Sequence, residues 1–238
     1  MSANKKMLML GTSKLSCEMV RYAKSLGVYT IVTDYLPPEK SIAKLLADEF
    51  WMTDTSKIDI LERRCKEEDV NAVICGISEF NLEVCMELCK RLGLQCYCTP
   101  EAWHYSRDKY DFKNLCKSVG APVAEDYYFS ENPLESEISV VDFPVVVKPV
   151  DLSGNKGISF CFNREQLITA IQYAKSVSQS NKLVVERMLH GEEWYSSYVF
   201  SNGEVRFLGL CAMYSQPGEA KNSYTIISKF VQHSTSVY

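Results

Sequence analysis

Four groups of residues have types and spacing suited to holding an anion and a flat heterocycle. Lys148 closes the apolar run Val145-Val146-Val147-Lys148-Pro149. An ammonium at the end of such a run is costly to desolvate unless it meets an anion. An edge lysine that extends its head to water gives the same pattern. Directly after it comes the polar segment 151–157, DLSGNKG. Gly154 and Gly157 let backbone amides approach an anion closely, and Lys156 adds charge. This is not G-x-x-x-x-G-K-[ST], and it joins two predicted strands rather than a strand and a helix. A polar hairpin tip reads the same way. The third group is Asp108-Lys109 at a predicted helix start, where a solvated first turn is the plain alternative. The fourth is Leu183 to Leu189 followed by His190-Gly191-Glu192-Glu193. An apolar strand running into an irregular stretch leaves backbone N–H and C=O groups for a purine edge, and a nearby carboxylate can hold ribose hydroxyls. An ordinary strand–loop–strand connection is the alternative.

The elements that must position these groups fall into two patterns. Over the first hundred residues strands and helices alternate. Lys6 to Leu10 is a short strand, Leu15 to Leu26 is apolar at helical spacing, and Val28 to Thr33 is rich in β-branched residues. A helix over Ser41 to Phe50 and a short strand at Trp51-Met52 follow. Next come a helix from Ser56 to about Glu68, a strand Val70 to Cys75, a helix Phe80 to Leu92 closed by Gly93, and a strand Leu94 to Cys98. This alternation predicts a doubly wound parallel sheet. After Thr99-Pro100 the pattern changes, and a boundary is placed near residue 104. Arg107 to Val119 reads as helical. Asn163 with Gln166 opens a helix to about Ser178 as a capping box. Asn202-Gly203 between Glu193–Phe200 and Val205–Tyr214 is a strong hairpin signal. The second half is therefore α+β with antiparallel strands. There is no internal repeat and no low-complexity segment.

The chain has 238 residues, 46% of them apolar. That is enough to bury roughly 70–75% of the unfolded surface. No apolar run is long enough to span a bilayer, and no export signal is visible. The net charge of −4 is spread evenly over both halves. Without a basic face or stripe, nucleic acid is not an expected partner. Ten cysteines in a chain of this kind read as buried small hydrophobes of a reducing cytoplasm, notably Cys75, Cys85, Cys89, Cys116, Cys161 and Cys211. Neither Cys96-x-Cys98 nor the Cys85/Cys89 pair matches a metal motif, so neither is assigned one.

Lys109, Lys148, the 151–157 segment and Glu186 to Glu193 occur in one order. In that order the chain resembles the ATP-grasp proteins, the group that includes biotin carboxylase, carbamoyl-phosphate synthase and D-alanine–D-alanine ligase. The resemblance implies a Rossmann-like preATP-grasp domain over 1–104. A partial α+β ATP-grasp domain over 105–238 follows, with a lid at about 143–187. It implies that Lys109 and Lys148 contact phosphates and that Ser153, Gly154, Lys156 and Gly157 belong to the loop that folds over them. Glu186 would accept from the adenine amino group through its carbonyl, with Arg187, Met188 and Leu189 in the adenine-binding linker. Glu193 would hold the ribose, and Lys221 is a weaker match to a further phosphate-contacting lysine. Gly76-Ile77-Ser78-Glu79 resembles the biotin carboxylase pattern, which makes Glu79 a substrate-side residue. Stabilisation of a helix N-terminus explains Glu79 as well. The family's magnesium ligands end in E-x-N. Glu219 and Asn222 stand in the reverse order, so the ligands are expected beyond Tyr238 and none is assigned. The chain is accordingly expected to be a fragment that turns over poorly alone.

The implied reaction phosphorylates a carboxylate with ATP, and an amine or other nucleophile attacks the acyl phosphate. The protein's part is positioning, charge neutralisation and exclusion of water. A carbamoyl-phosphate synthase-like enzyme using bicarbonate and a non-catalytic nucleotide-binding module are the alternatives. An NAD-binding reading rests on Asp34, which lies 23 residues past Gly11, but G-x-G-x-x-G is absent. His104 and His190 have no Ser or Asp partner in the sequence pattern, so a triad is not expected. The expected partners are ATP with Mg2+, a small carboxylate and a nucleophile, with no membrane. A homodimer is the commonest oligomer.

Overall fold

The structure is a computed structural model that describes residues 5–130, 133–152, 156–217 and 224–231, with side chains to residue 212. The chain divides into two compact units, Met1–Val119 and Gly120–Tyr238.

In the N-terminal unit the strands are β1 (Lys6–Leu10), β2 (Tyr29–Thr33), β3 (Glu49–Trp51) and β4 (Ala72–Cys75). They form one parallel sheet in the order β3-β2-β1-β4. The helices are α1 (Lys14–Ser25), α2 (Ile42–Leu46), α3 (Ile58–Glu67), α4 (Glu79–Leu92), α5 (Pro100–Arg107) and α6 (Lys109–Ser118). Strand alternation feeds both faces. Leu8, Leu10 and Ile31 pack with Leu61 of α3 and with Val84 and Leu88 of α4. Met7, Met9 and Val32 pack with Val20 of α1 and Ala43 of α2. The chain order reverses between β1 and β4, so their carboxyl ends frame the crevice where such sheets bind ligands.

The C-terminal unit begins with β5 (Asp126–Tyr127), α7 (Glu135–Ser139), β6 (Val145–Pro149) and β7 (Ser159–Cys161). It continues with α8 (Arg164–Val177), β8 (Leu183–Arg187), β9 (Glu193–Ser201), β10 (Glu204–Pro217) and β11 (Tyr224–Val231). Strands β5-β8-β6-β7 make one antiparallel sheet and β11-β10-β9 another. Asn202 and Gly203 turn β9 into β10 with φ of 52° and 76°, the two positive values a tight two-residue hairpin turn requires.

One expected strand does not form. Leu94 to Cys98 is not a strand, and the parallel sheet has four strands. The reason is local: Gly93 caps α4 in the left-handed region, and the Leu94 N–H donates to the Cys89 carbonyl at 2.8 Å, which folds the segment back on the core. The helix expected over Arg107 to Val119 forms as α6, and a separate helix that the sequence reading did not include, α5, precedes it. Thr99 caps α5, and the Asp108 carboxylate restarts the chain as α6 by accepting from the N–H groups of Tyr110 and Asp111, both at 2.9 Å. The pattern change near residue 104 and the division of the units after Val119 differ because α5 is tied to α4. Trp103 Nε1 donates to Glu83 at 3.1 Å, and Arg107 pairs with the same carboxylate.

Candidate functional site

The two faces of the β6–β8 ladder are chemically different. Val145, Val147 and Val185 point to the core formed with Leu167 and Ile171 of α8. In this register Val146 lies opposite Glu186 and Lys148 opposite Val184. These four residues therefore share the other face, with Lys148 and Glu186 as diagonal neighbours. The Lys148 ammonium pairs with the Glu186 carboxylate there, and their side chains are 27% and 15% exposed. Lys148 does meet an anion, as its position at the end of an apolar strand predicts. Two valines beside the pair give this face an apolar floor with one charged patch.

The polar segment after β6 is anchored at both described ends. Asp151 accepts from the Ser180 N–H at 2.8 Å and from the Ser178 hydroxyl at 3.0 Å. Burial pushes this carboxyl up, but those hydrogen bonds outweigh it and hold it below its ordinary value. Gly157 is buried with φ +76°, and a Cβ there would stand 2.5 Å from Pro149 Cγ, so only glycine lets the segment close on β6. Lys156 is exposed beside it. Ser153 and Gly154 lie outside the described residues. The segment joins two antiparallel strands, β6 and β7.

The end of β8 is less open than the sequence suggests. The Arg187 N–H donates to the Glu125 carbonyl and the Met188 N–H to the Pro144 carbonyl, each at 2.9 Å. These two amides are satisfied because neighbouring connections run alongside, which strand-end reasoning could not anticipate. Arg187 also pairs with Asp142 at 3.2 Å. Leu189 is exposed, and Glu193 is exposed at the start of β9, opposite Met213. Lys221 lies outside the described residues.

In the N-terminal unit, Lys109 is the first residue of α6 and half-buried. Glu79 is exposed in the first turn of α4, after the Ser78 cap. The residue that sequence reasoning passed over is Asn81. Its Oδ1 is buried with no hydrogen-bond partner, while its Nδ2 donates to the Leu10 carbonyl at 3.5 Å. A Cβ on Gly11 would lie 2.4 Å from that Nδ2, so the glycine after β1 makes room for the amide. Its signal was Ser78 three residues before it, the pattern of a helix cap. His104 does find an acid: its Nε2 lies 2.7 Å from Asp111 Oδ2 across the break between α5 and α6. Both are exposed on the surface, which suits a helix-end pair rather than a catalytic one.

Asp34 decides against the NAD reading. Its carboxylate is 2.8 Å from Lys44 Nζ and accepts from the Ser41 hydroxyl at 2.8 Å and the Leu36 N–H at 2.7 Å. Asp34 is itself buried, and with the fully buried Lys44 against it this acid holds its own chain and is not presented to a ribose.

Residues 107–224 match the family model of the phosphoribosylglycinamide synthetase ATP-grasp (A) domain. The chain belongs to the ATP-grasp family. This ATP-grasp chain is 30% identical, over 168 residues, to the formate-dependent phosphoribosylglycinamide formyltransferase of Prochlorococcus marinus subsp. pastoris, covering 70% of itself and 42% of that protein. It is 27% identical over 183 residues to the carbamoyl phosphate synthase large chain of Thermomicrobium roseum, covering 73% of itself and 17% of that protein. Among solved structures, the biotin carboxylase domain of Hydrogenobacter thermophilus 2-oxoglutarate carboxylase superposes with a TM-score of 0.73 at 21% identity, over 87% of this chain and 50% of that one. Phosphoribosylglycinamide synthetase from Anaerococcus prevotii gives 0.68 at 21% identity, over 94% and 55%. These two likenesses concern the fold. The ATP-grasp chain spans about half the length of the formyltransferases and of these two solved chains, and 17% of the carbamoyl phosphate synthase large chain. No helix among the described residues is long and apolar enough to cross a membrane.

Proposed function

We propose that this chain supplies the nucleotide-binding part of an ATP-dependent ligase, one that activates a small carboxylate as an acyl phosphate for attack by an amine or other nucleophile. The observation that carries the reading is the Lys148–Glu186 pair on the β6–β8 face turned away from α8. A lysine is a compact point charge suited to a phosphoryl oxygen. Glu186 keeps that charge extended along the sheet, and the triphosphate, with its higher charge density, takes its place as partner. Lys109 is the second phosphate lysine in this reading. The span between the anchors at Asp151 and Gly157, with Lys156 inside it, is assigned to covering the phosphates and excluding water from the acyl phosphate. Glu193 is the acceptor for ribose hydroxyls in this reading.

Magnesium accompanies the nucleotide and shields its phosphate charge. No described residue is assigned to it, and no step here runs through it. The nucleophile is assigned to the carboxyl ends of β1 and β4. The unpartnered Asn81 Oδ1 is an acceptor that suits the N–H of an amine. Two relatives bear on the carboxylate, a formate-dependent enzyme and a carbamoyl phosphate synthase. Their names support a small one-carbon acid of the formate or bicarbonate class.

Thermal unfolding of the full chain with Mg-ATP tests the reading, with NAD as control. Ligand at 100 times its dissociation constant stabilises the folded state by about 2.7 kcal/mol. The expected result is an upward shift with ATP that Lys148→Ala abolishes, and none with NAD. A shift with NAD only, or no shift with ATP, overturns it.

A further inference from the structure

Cys85 and Cys89 stand four residues apart on α4, so both thiols leave one helix face a turn apart. That face packs on the parallel sheet, and both residues are buried. Cys96 arrives from beyond the helix. The Gly93 cap and the bond from the Leu94 N–H to the Cys89 carbonyl reverse the chain at once and lay Cys96 against the same core. The three sulfurs then lie within 4.8 Å of one another. Among the described residues no other three His, Cys, Asp or Glu side chains close up in this way. The spacing, C-x3-C-x6-C, matches no metal motif, which is why the sequence assigns nothing here. The neighbouring Cys75 is occupied separately, with its sulfur 2.9 Å from the Tyr97 hydroxyl.

We propose that Cys85, Cys89 and Cys96 form a binding site for a soft divalent cation of the zinc and cadmium class. An all-sulfur ligand set excludes calcium and magnesium, which take oxygen ligands, and favours thiophilic ions. At a metal–sulfur distance of about 2.3 Å, tetrahedral ligands sit about 3.8 Å apart. Closure from the observed cluster thus needs about 1 Å of movement or less, within reach of side-chain rotation. Charge selects the divalent ion. Three thiolates around a monovalent ion would leave two net charges in the core, and around a divalent ion only one. Cys96, the one partly exposed ligand, provides the side from which metal enters and a water completes the coordination.

The test is titration of the reduced full-length chain with cadmium, read by the ultraviolet thiolate-to-cadmium charge-transfer band and by thermal unfolding. The expected result is a band that saturates at a single equivalent, accompanied by a higher unfolding temperature. Cys96→Ser and Cys89→Ala should abolish both, and Cys116→Ser on α6 should leave both unchanged. Cys96→Ser is nearly isosteric at a half-buried position, and circular dichroism checks that it folds. It decides the matter even if Cys89→Ala does not fold. No band at one equivalent overturns the proposal. So does a band that survives in Cys96→Ser, or one that Cys116→Ser removes equally.

Discussion

The parallel sheet β3-β2-β1-β4 and the antiparallel sheet β5-β8-β6-β7 use alternation for opposite ends. In the first, both faces of β1 are buried, Leu8 and Leu10 on one side, Met7 and Met9 on the other. Its chemistry is pushed to the strand ends, where Gly11 and Asn81 sit. In the second, α8 covers one face, and the other carries an ion pair in mid-sheet. A sheet buried on both faces can offer only its edges and ends to a ligand; on the second sheet Val146 and Val184 are buried too, and what that face can offer is the partly exposed Lys148–Glu186 pair. The β9–β10 hairpin goes further. Trp194, Tyr198 and Phe207 are all more than 40% exposed, so among the described residues this long ladder has little packed on it.

Matched core deletions give the largest effect and can break the comparison outright. Leu8→Ala should cost about 2–5 kcal/mol of stability, because a fully buried side chain leaves a cavity. Val146→Ala, on the site face, should cost about 1–2 kcal/mol from the lost methyl groups. Equal losses by chemical denaturation would mean that the site face is as tightly packed as the parallel core. Next in size is Gly157→Ala. A Cβ forced against Pro149 at positive φ should cost about 1–3 kcal/mol. The same change should shrink the ATP-dependent shift in melting temperature, since the 151–157 segment can no longer close on β6. A variant that melts lower but keeps the full ATP shift would separate the anchor from the site.

The smallest effect is a pH dependence. Asp151 has a lowered carboxyl value in the fold, so its contribution is complete above the unfolded value, about pH 4. It is lost as the pH falls through the lower folded value. Wild type should therefore lose more stability than Asp151→Asn as the pH falls below the ordinary carboxylate range. Parallel acid-unfolding curves would show that Ser178 and Ser180 do not favour the charged form.

Much of this molecule was legible residue by residue. The short apolar runs Lys6–Leu10 and Val145–Pro149, helical spacing in α1 and α8, the Asn163 cap and the Asn202-Gly203 turn are local, and local sterics and hydrogen bonds suffice to read them. Lys148, Glu186 and the Gly157 segment were each visible as residues out of keeping with their surroundings. Two places lay beyond local reading for one cause. Leu94 to Cys98 has a strand's composition, and Asp34 stands where a ribose-binding acid would, although the missing G-x-G-x-x-G already spoke against that role. What each does is decided by partners that periodicity cannot name.

The sequence alone determined most of the strands and helices, that the first sheet is parallel and the second half antiparallel, and which side chains are chemically out of place. Tertiary structure decided what those side chains meet. It set Lys148 beside Glu186 across 38 residues and Asn81 beside the Leu10 carbonyl across 71. It spent Asp34 on Lys44, and it brought Cys96 back to Cys85 and Cys89. The physical reason is range. Propensity and capping act over a few residues, whereas register and chain return place side chains by the packing of whole elements, and only there is a charge given its partner.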